Sequence, residues 1–305
     1  MTKNLDIEGL RSIADDYELF YVDIWGVVHN GINVHKNAIS ALKEILKLKK
    51  DIVLLTNAPR PNKNVRDFCE KLGMDKTLSK YVFTSGEAAI KYLKKNLYSD
   101  KFFHVGPPRD FDLFEDFKKN KTSNINDASY LLCTGLFDEQ KTDLNYYKDI
   151  LESSISKKMI CTNPDLVVDK GEKRELCAGS VAIVFEKMGG KVTYFGKPYP
   201  EVYNQSIDNT NKKILSIGDN LNTDIKGANL LNFDSLIISN GIHKNEIKEK
   251  GIEATAKSYE TICNYIQSDL KWWKMKLYNS FNIKKNHKNS IILIGNFDGL
   301  HLGHQ

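Results

Sequence analysis

Five polar residues stand where apolar runs stop or turn. Asp23 follows LFYV in FYVDIWGVVHNG, with Gly26 three residues on. Thr56 closes DIVLLT, Asp219 closes ILSIG with Asp224 five residues later, and Lys197 lies between Gly196 and Pro198 in FGKPYPEVY. A buried strand ending on a carboxylate delivers it to the C-terminal edge of an α/β sheet, where open sheets of this kind bind ligands. Carboxylates there can ligate a hard cation or attack an electrophile, a hydroxyl can donate to an anion, and an ammonium can offset charge. Each residue also has a plainer use. An aspartate after a strand can close a turn or cap a helix, Thr56-Asn57 before Pro59 can be a turn, and a lysine before proline is commonly at the surface.

The elements that must hold these residues alternate along the chain. ELFYVDIWGVV, DIVLLTN, YVFTSG, KFFHVG, SYLLCTG, KMICTN, KVTYFG, KKILSIGD and FDSLIIS carry strand patterns. Between them NAISALKEILKLKK, NKNVRDFCEKLG, EAAIKYLKKNL, AGSVAIVFEKMGG, EVYNQSI and DIKGANLL carry helical ones. Such alternation predicts parallel strands joined by right-handed crossovers. The sheet is expected to be complete by Ser239, with one more helix near SYETICNYIQSDL.

Composition narrows the class. With 305 residues, 41% hydrophobic and 27% charged, the chain reads as globular, with room for about two domains. The net charge of +5 is spread among acids, which suits a phosphorylated small molecule better than nucleic acid. Cys69, Cys133, Cys161, Cys177 and Cys263 form no close pair and read as buried thiols in a reducing cytoplasm. No apolar run approaches 18 residues, so no membrane span is expected.

Taken together, VDIWGVVHNG, LLTNAPR, FGKPYPEVY and SIGDNLNTDIKGA resemble the four motifs of the haloacid dehalogenase superfamily. CTNPD and CAGSVA point to its class IIA (NagD-like) branch with a type-2 cap; the likeness spans about residues 15–255. It implies an α/β fold: a Rossmannoid parallel-sheet core, 1–85 plus 191–256, and an inserted α/β cap, 86–190. It also implies a Mg2+-dependent phosphohydrolase that acts on a small phosphorylated metabolite through an aspartyl phosphate. Asp23 would be the nucleophile and a metal ligand, joined by the Trp25 backbone carbonyl, Asp219 and Asp224. Thr56 and Lys197 would share the catalysis. Thr56, Asn57, Asn163 and Asp165 would bind phosphate or substrate, with Ser180 near the cleft. Phe102, Phe103, Tyr146 and Tyr147 are expected in the cap core. The resemblance leaves a homo-oligomer open.

In the resembling phosphatases the residue two after the nucleophile is an aspartic acid that serves as acid and base. Here it is Trp25, whose indole does not titrate usefully. His29 or His35 could stand in, or the chain could be a weakly catalytic module that binds a phosphometabolite. The last residues, IILIGNFDGLHLGHQ, resemble the start of bifunctional riboflavin kinase/FAD synthetase. By that likeness 257–290 would be a helix and linker, and 291–305 a truncated nucleotidyltransferase start with a strand at 291–295. Gly295, Asp298, His301 and His304 would be vestigial nucleotide-binding residues. The likeness suggests a link to flavin metabolism, and as an alternative an FMN adenylyltransferase activity of a longer fusion.

Overall fold

The residues at the ends of the central strands are held by two parallel sheets. The structure, a computed structural model, describes residues 1–170, 173–208 and 211–272. The expectations for Gly295, Asp298, His301, His304 and the 291–295 strand lie outside the described residues. The core sheet has seven strands in the order Lys3–Asn4, Tyr265–Gln267, Asp234–Ile238, Ile214–Gly218, Leu19–Asp23, Asp51–Thr56 and Val82–Thr84, all parallel. The second sheet runs Lys191–Tyr194, Lys158–Cys161, Tyr130–Cys133, Phe102–Val105 and Lys121–Thr122, also parallel. A small antiparallel hairpin, Val167–Lys170 with Lys173–Leu176, projects from the second unit.

Period-two alternation builds both faces of the core sheet. Phe20, Val22, Ile52 and Leu54 enter one apolar cluster, with Ala38, Ala41, Leu42 and Ile45 of the helix Lys36–Lys47 packed against them. Leu19, Tyr21, Val53 and Leu55 point the other way. That second cluster does not stop at the core. It runs through Ala88, Ala89 and Leu93 of the helix Ser85–Asn96 into Phe102, Phe114, Tyr130, Leu132 and Ile160 of the second unit. Thr84 starts this helix by accepting a hydrogen bond from the Glu87 amide. All five cysteines are free and buried. Tyr147 is fully buried in the cap core and Phe103 and Tyr146 pack against it, whereas the fully buried Phe102, expected there too, belongs to the cluster shared with the core sheet.

Three expectations are corrected. The stretch after Tyr259 is not a helix. Tyr265–Gln267 is a strand between Asp234–Ile238 and Lys3–Asn4, so the core sheet is not complete by Ser239 and extends beyond residue 256. A three-residue strand carries too little periodicity to register in sequence. It is anchored instead by the Gln267 side-chain amide, which donates to the Leu5 and Lys271 carbonyls. Lys191–Tyr194 pairs with Lys158–Cys161 and so belongs to the inserted sheet, which moves the cap boundary past Tyr194.

Truncating Phe102→Ala should remove a fully buried ring that meets Phe114 at 5.2 Å and Tyr130 at 5.6 Å. The expected cost is about 3–5 kcal/mol in urea unfolding.

Candidate active site

Strand register alone brings three of the five residues together. Asp23 pairs with Leu55, Val22 with Ile217, and Thr56 with Thr84. Asp23, Thr56 and Asp219 therefore leave the sheet along one edge. Lys197 arrives from the loop after Lys191–Tyr194. Asp224 lies in a π-helical turn, Leu221–Ile225, whose start is capped by Asn220 accepting from the Asn222 amide.

These groups converge on one ammonium. Lys197 is 3% exposed, and its Nζ donates to Asp23 Oδ1 at 2.5 Å, Asp224 Oδ1 at 2.6 Å and the Leu55 carbonyl at 3.0 Å. All three of its donors are thus in use. Burial favours the neutral amine, but the Asp224 and Asp23 carboxylates outweigh it and raise the Lys197 pKa. The backbone reinforces this. Asn220 N donates to Asp224 Oδ2 at 3.1 Å, and Ile242 N donates to Asp219 Oδ2 at 3.0 Å.

Asp23, Asp219 and Asp224 each offer a carboxylate oxygen, and these atoms lie within 4.8 Å of one another. One ammonium does not balance three buried carboxylates. Burial, with Asp23 and Asp224 next in effect, holds Asp219 well above the usual range. Burial also raises Asp23 to about 7 against the pull of Lys197. An all-oxygen, negatively charged set of this kind fits a hard divalent cation such as Mg2+. Two glycines leave room for the Asp219 carboxylate. A Cβ on Gly26, where φ is 86°, or on Gly241 would stand 2.2 Å from Asp219 Oδ2.

The cavity at this edge, about 380 Å³, is lined by Asp23, Thr56, Lys197, Asp165, Trp25 and Val168, among others. A second cavity of about 350 Å³ shares Asp165, Val167, Asn220, Thr223 and Ile242 with it and continues to Tyr194, Tyr199 and Lys226.

The side chains of several residues expected near the ligand have protein partners. The Asn57 amide is fully committed. Its Oδ1 accepts from Lys197 N at 2.7 Å, and its Nδ2 donates to the Lys197 carbonyl and to Asp165 Oδ1, both at 2.9 Å. Its side chain positions Lys197 and has no donor left for phosphate. Asn163 lines neither cavity and closes a turn by accepting from Asp165 N at 3.0 Å. Ser180 Oγ donates to the Leu166 carbonyl at 2.7 Å and likewise lines neither of these cavities.

His29 cannot replace the acid missing at Trp25. It is buried edge-on to the Trp25 ring at 5.2 Å and lines neither cavity, and its Nδ1 accepts from Gly31 N at 3.0 Å. Burial, with His35 adding to it, lowers its pKa to about 4. His35 lines neither cavity either. The Trp25 ring packs over Gly31, where a Cβ would meet it at 2.6 Å, so indole forms a wall.

Sequence reasoning missed Asn220, Gly241, Ile242 and the hairpin residues Val167 and Val168. Asn220 and the paired valines had weak local signals, as a helix-cap residue and a β-branched pair. Ile242 acts through its backbone amide, which no residue type announces.

Two family models match, both haloacid dehalogenase-like hydrolases, over residues 20–118 and 194–266, together more than half the chain. A haloacid dehalogenase-like hydrolase from Brucella suis superposes with a TM-score of 0.73 at 29% identity, covering 86% of this chain and 99% of that one. A possible sugar phosphatase from Cytophaga hutchinsonii gives 0.70 at 20% identity, covering 89% and 99%. A 4-nitrophenylphosphatase from Thermotoga maritima gives 0.67 at 21%, covering 85% and 96%. The last two establish likeness of fold. No curated protein matches the chain.

His29 gives a signed pH test. Its folded pKa lies below the ordinary value of 6.5, so between about 6.5 and 4 the unfolded chain binds the extra proton. Stability is expected to fall across that window, by at most about 3 kcal/mol from this group. Melts from pH 7.5 to 4.5 should show a shallower decline in His29→Gln than in wild type.

Proposed function

The chain belongs to the haloacid dehalogenase-like hydrolases, and from that premise we propose that it is a Mg2+-dependent phosphohydrolase acting on a small phosphorylated metabolite. One observation carries the reading: a single buried ammonium bonds Asp23 and Asp224 at once, beside Asp219, at the end of the central strands.

Asp23, Asp219 and Asp224 would hold the cation, with the Trp25 backbone carbonyl as a further protein donor. When bound, Mg2+ supplies charge neutralisation to the nucleophile and the phosphoryl oxygens. Lys197 fixes the Asp23 carboxylate and offsets negative charge as the carboxylate attacks phosphorus. The phosphoryl group passes to Asp23, splitting hydrolysis into two steps. The Thr56 hydroxyl, on the cavity wall, holds a phosphoryl oxygen. Trp25, Val167, Val168 and Ile242 line the same space and limit bulk water. A cavity of this size suits a small metabolite. The GNFDG and HLGH residues make FMN a natural trial substrate, a motive that rests on sequence alone.

With Mg2+, the protein should release phosphate from at least one of a set comprising sugar phosphates, glycerol phosphate, FMN and 4-nitrophenyl phosphate. EDTA should abolish release, and Asp23→Asn should lower kcat by about 10³-fold or more. Mg2+ at 100 times Kd should stabilise wild type by about 2.7 kcal/mol, and Asp219→Asn far less. A wild type inert toward every ester would overturn the proposal.

A further inference from the structure

Ester cleavage at this site needs a proton for the departing oxygen, and the groups around Asp23 are committed to the cation site or to Lys197. Five ionisable side chains line the first cavity: Asp23, Asp165, Lys197, Asp219 and Asp224. Lys197 has spent its three donors. Asp23, Asp219 and Asp224 form the compact carboxylate cluster, and Asp224 is tied to Lys197 and Asn220. Trp25 offers only a non-titrating N–H.

Asp165 differs from the others. It comes from the inserted unit, facing the core site from above. Its Oδ1 accepts from Asn57 Nδ2 at 2.9 Å, and among the described residues its Oδ2 has no hydrogen-bond partner. It is also the single titratable residue on the wall shared by the two cavities. In an in-line displacement the leaving oxygen departs on the side of phosphorus opposite the nucleophile. Asp165 lies where the cavity holding Asp23 meets the one lined by Tyr194, Tyr199 and Lys226, so a leaving group that runs from the first cavity into the second would pass its carboxyl.

We propose that Asp165 is the catalytic acid and base of this enzyme, delivered by the inserted unit and aimed by Asn57. The assignment rests on the phosphohydrolase reading above. In the first step Asp23 forms a bond to phosphorus and the P–O ester bond breaks. Its electron pair goes to the leaving oxygen, which takes the proton of the Asp165 carboxyl and departs as an alcohol. In the second step the Asp165 carboxylate takes a proton from water as that oxygen bonds to phosphorus. The P–O bond to Asp23 breaks, and the pair returns to the Asp23 carboxylate. Protonation state supports the geometry. Burial raises Asp165 to about 6 against the Asn57 hydrogen bond, and an arriving phosphate dianion pushes it further toward the acid form.

The test compares leaving groups, because a good one needs no proton. With Mg2+ present, kcat/KM is measured for an alkyl phosphate and for 4-nitrophenyl phosphate. In Asp165→Asn, which preserves the acceptor for Asn57, the alkyl-to-aryl ratio of kcat/KM should fall at least 30-fold, and the basic limb of the alkyl pH profile should disappear. Asp165→Glu should recover part of the ratio. An equal loss on both substrates would make Asp165 a positioning residue and overturn the assignment, as would no loss on either. A wild type that cleaves neither ester refutes the phosphohydrolase reading and this assignment with it. A wild type that cleaves both, with an unchanged ratio in the variant, refutes this assignment alone.

Discussion

The arrangement of the site depends on one buried cation. The Lys197 ammonium sits among two carboxylates and a carbonyl with no donor left over, and three carboxylates crowd around its single charge. Removing it would strand Asp23 and Asp224 in a low-dielectric pocket, where an uncompensated charge is far costlier than at the surface. Lysine suits the position better than arginine, since three donors on one small nitrogen can reach three acceptors from three segments. Much of the neighbouring structure serves to bring that nitrogen there. Asn57 grips the Lys197 backbone on both sides of its Cα, through the amide N–H and the carbonyl.

The charge imbalance explains how the fold tolerates such a site. Burial holds Asp219 and Asp23 above their ordinary range, with Asp23 and Asp224 adding to it at Asp219 and Asp224 adding to it at Asp23. Backbone amides of Asn220 and Ile242 take up part of the load. Glycines at 26 and 241 let main chain approach Asp219 more closely than any side chain permits. The result is an ordered pocket that keeps like charges close, a common cost of function.

The strand ending in Asp23, the lysine loop and the paired aspartates were legible in sequence because each combines an apolar run with a polar terminus. The α/β class was legible because periods of two and 3.6 alternate. What escaped were features without a residue-type signature. Tyr265–Gln267 is too short to show a period, and the backbone of Ile242 donates whatever its side chain is. Only the fold reveals that the Asn57 side-chain amide faces Lys197 and Asp165. Trp25 was read correctly as unable to titrate, but that it lies against Gly31 and His29 needed coordinates.

The apolar cluster that joins the two sheets has a mechanical consequence. Tyr21, Leu55 and Phe83 of the core belong to the same oily seam as Phe102, Tyr130 and Leu132 of the insertion, with the helix Ser85–Asn96 wedged between. A rigid swing of the whole insertion would tear that seam and wet its rings, so large-scale parting of the two halves is disfavoured. Heat should therefore melt the two sheets as one cooperative body.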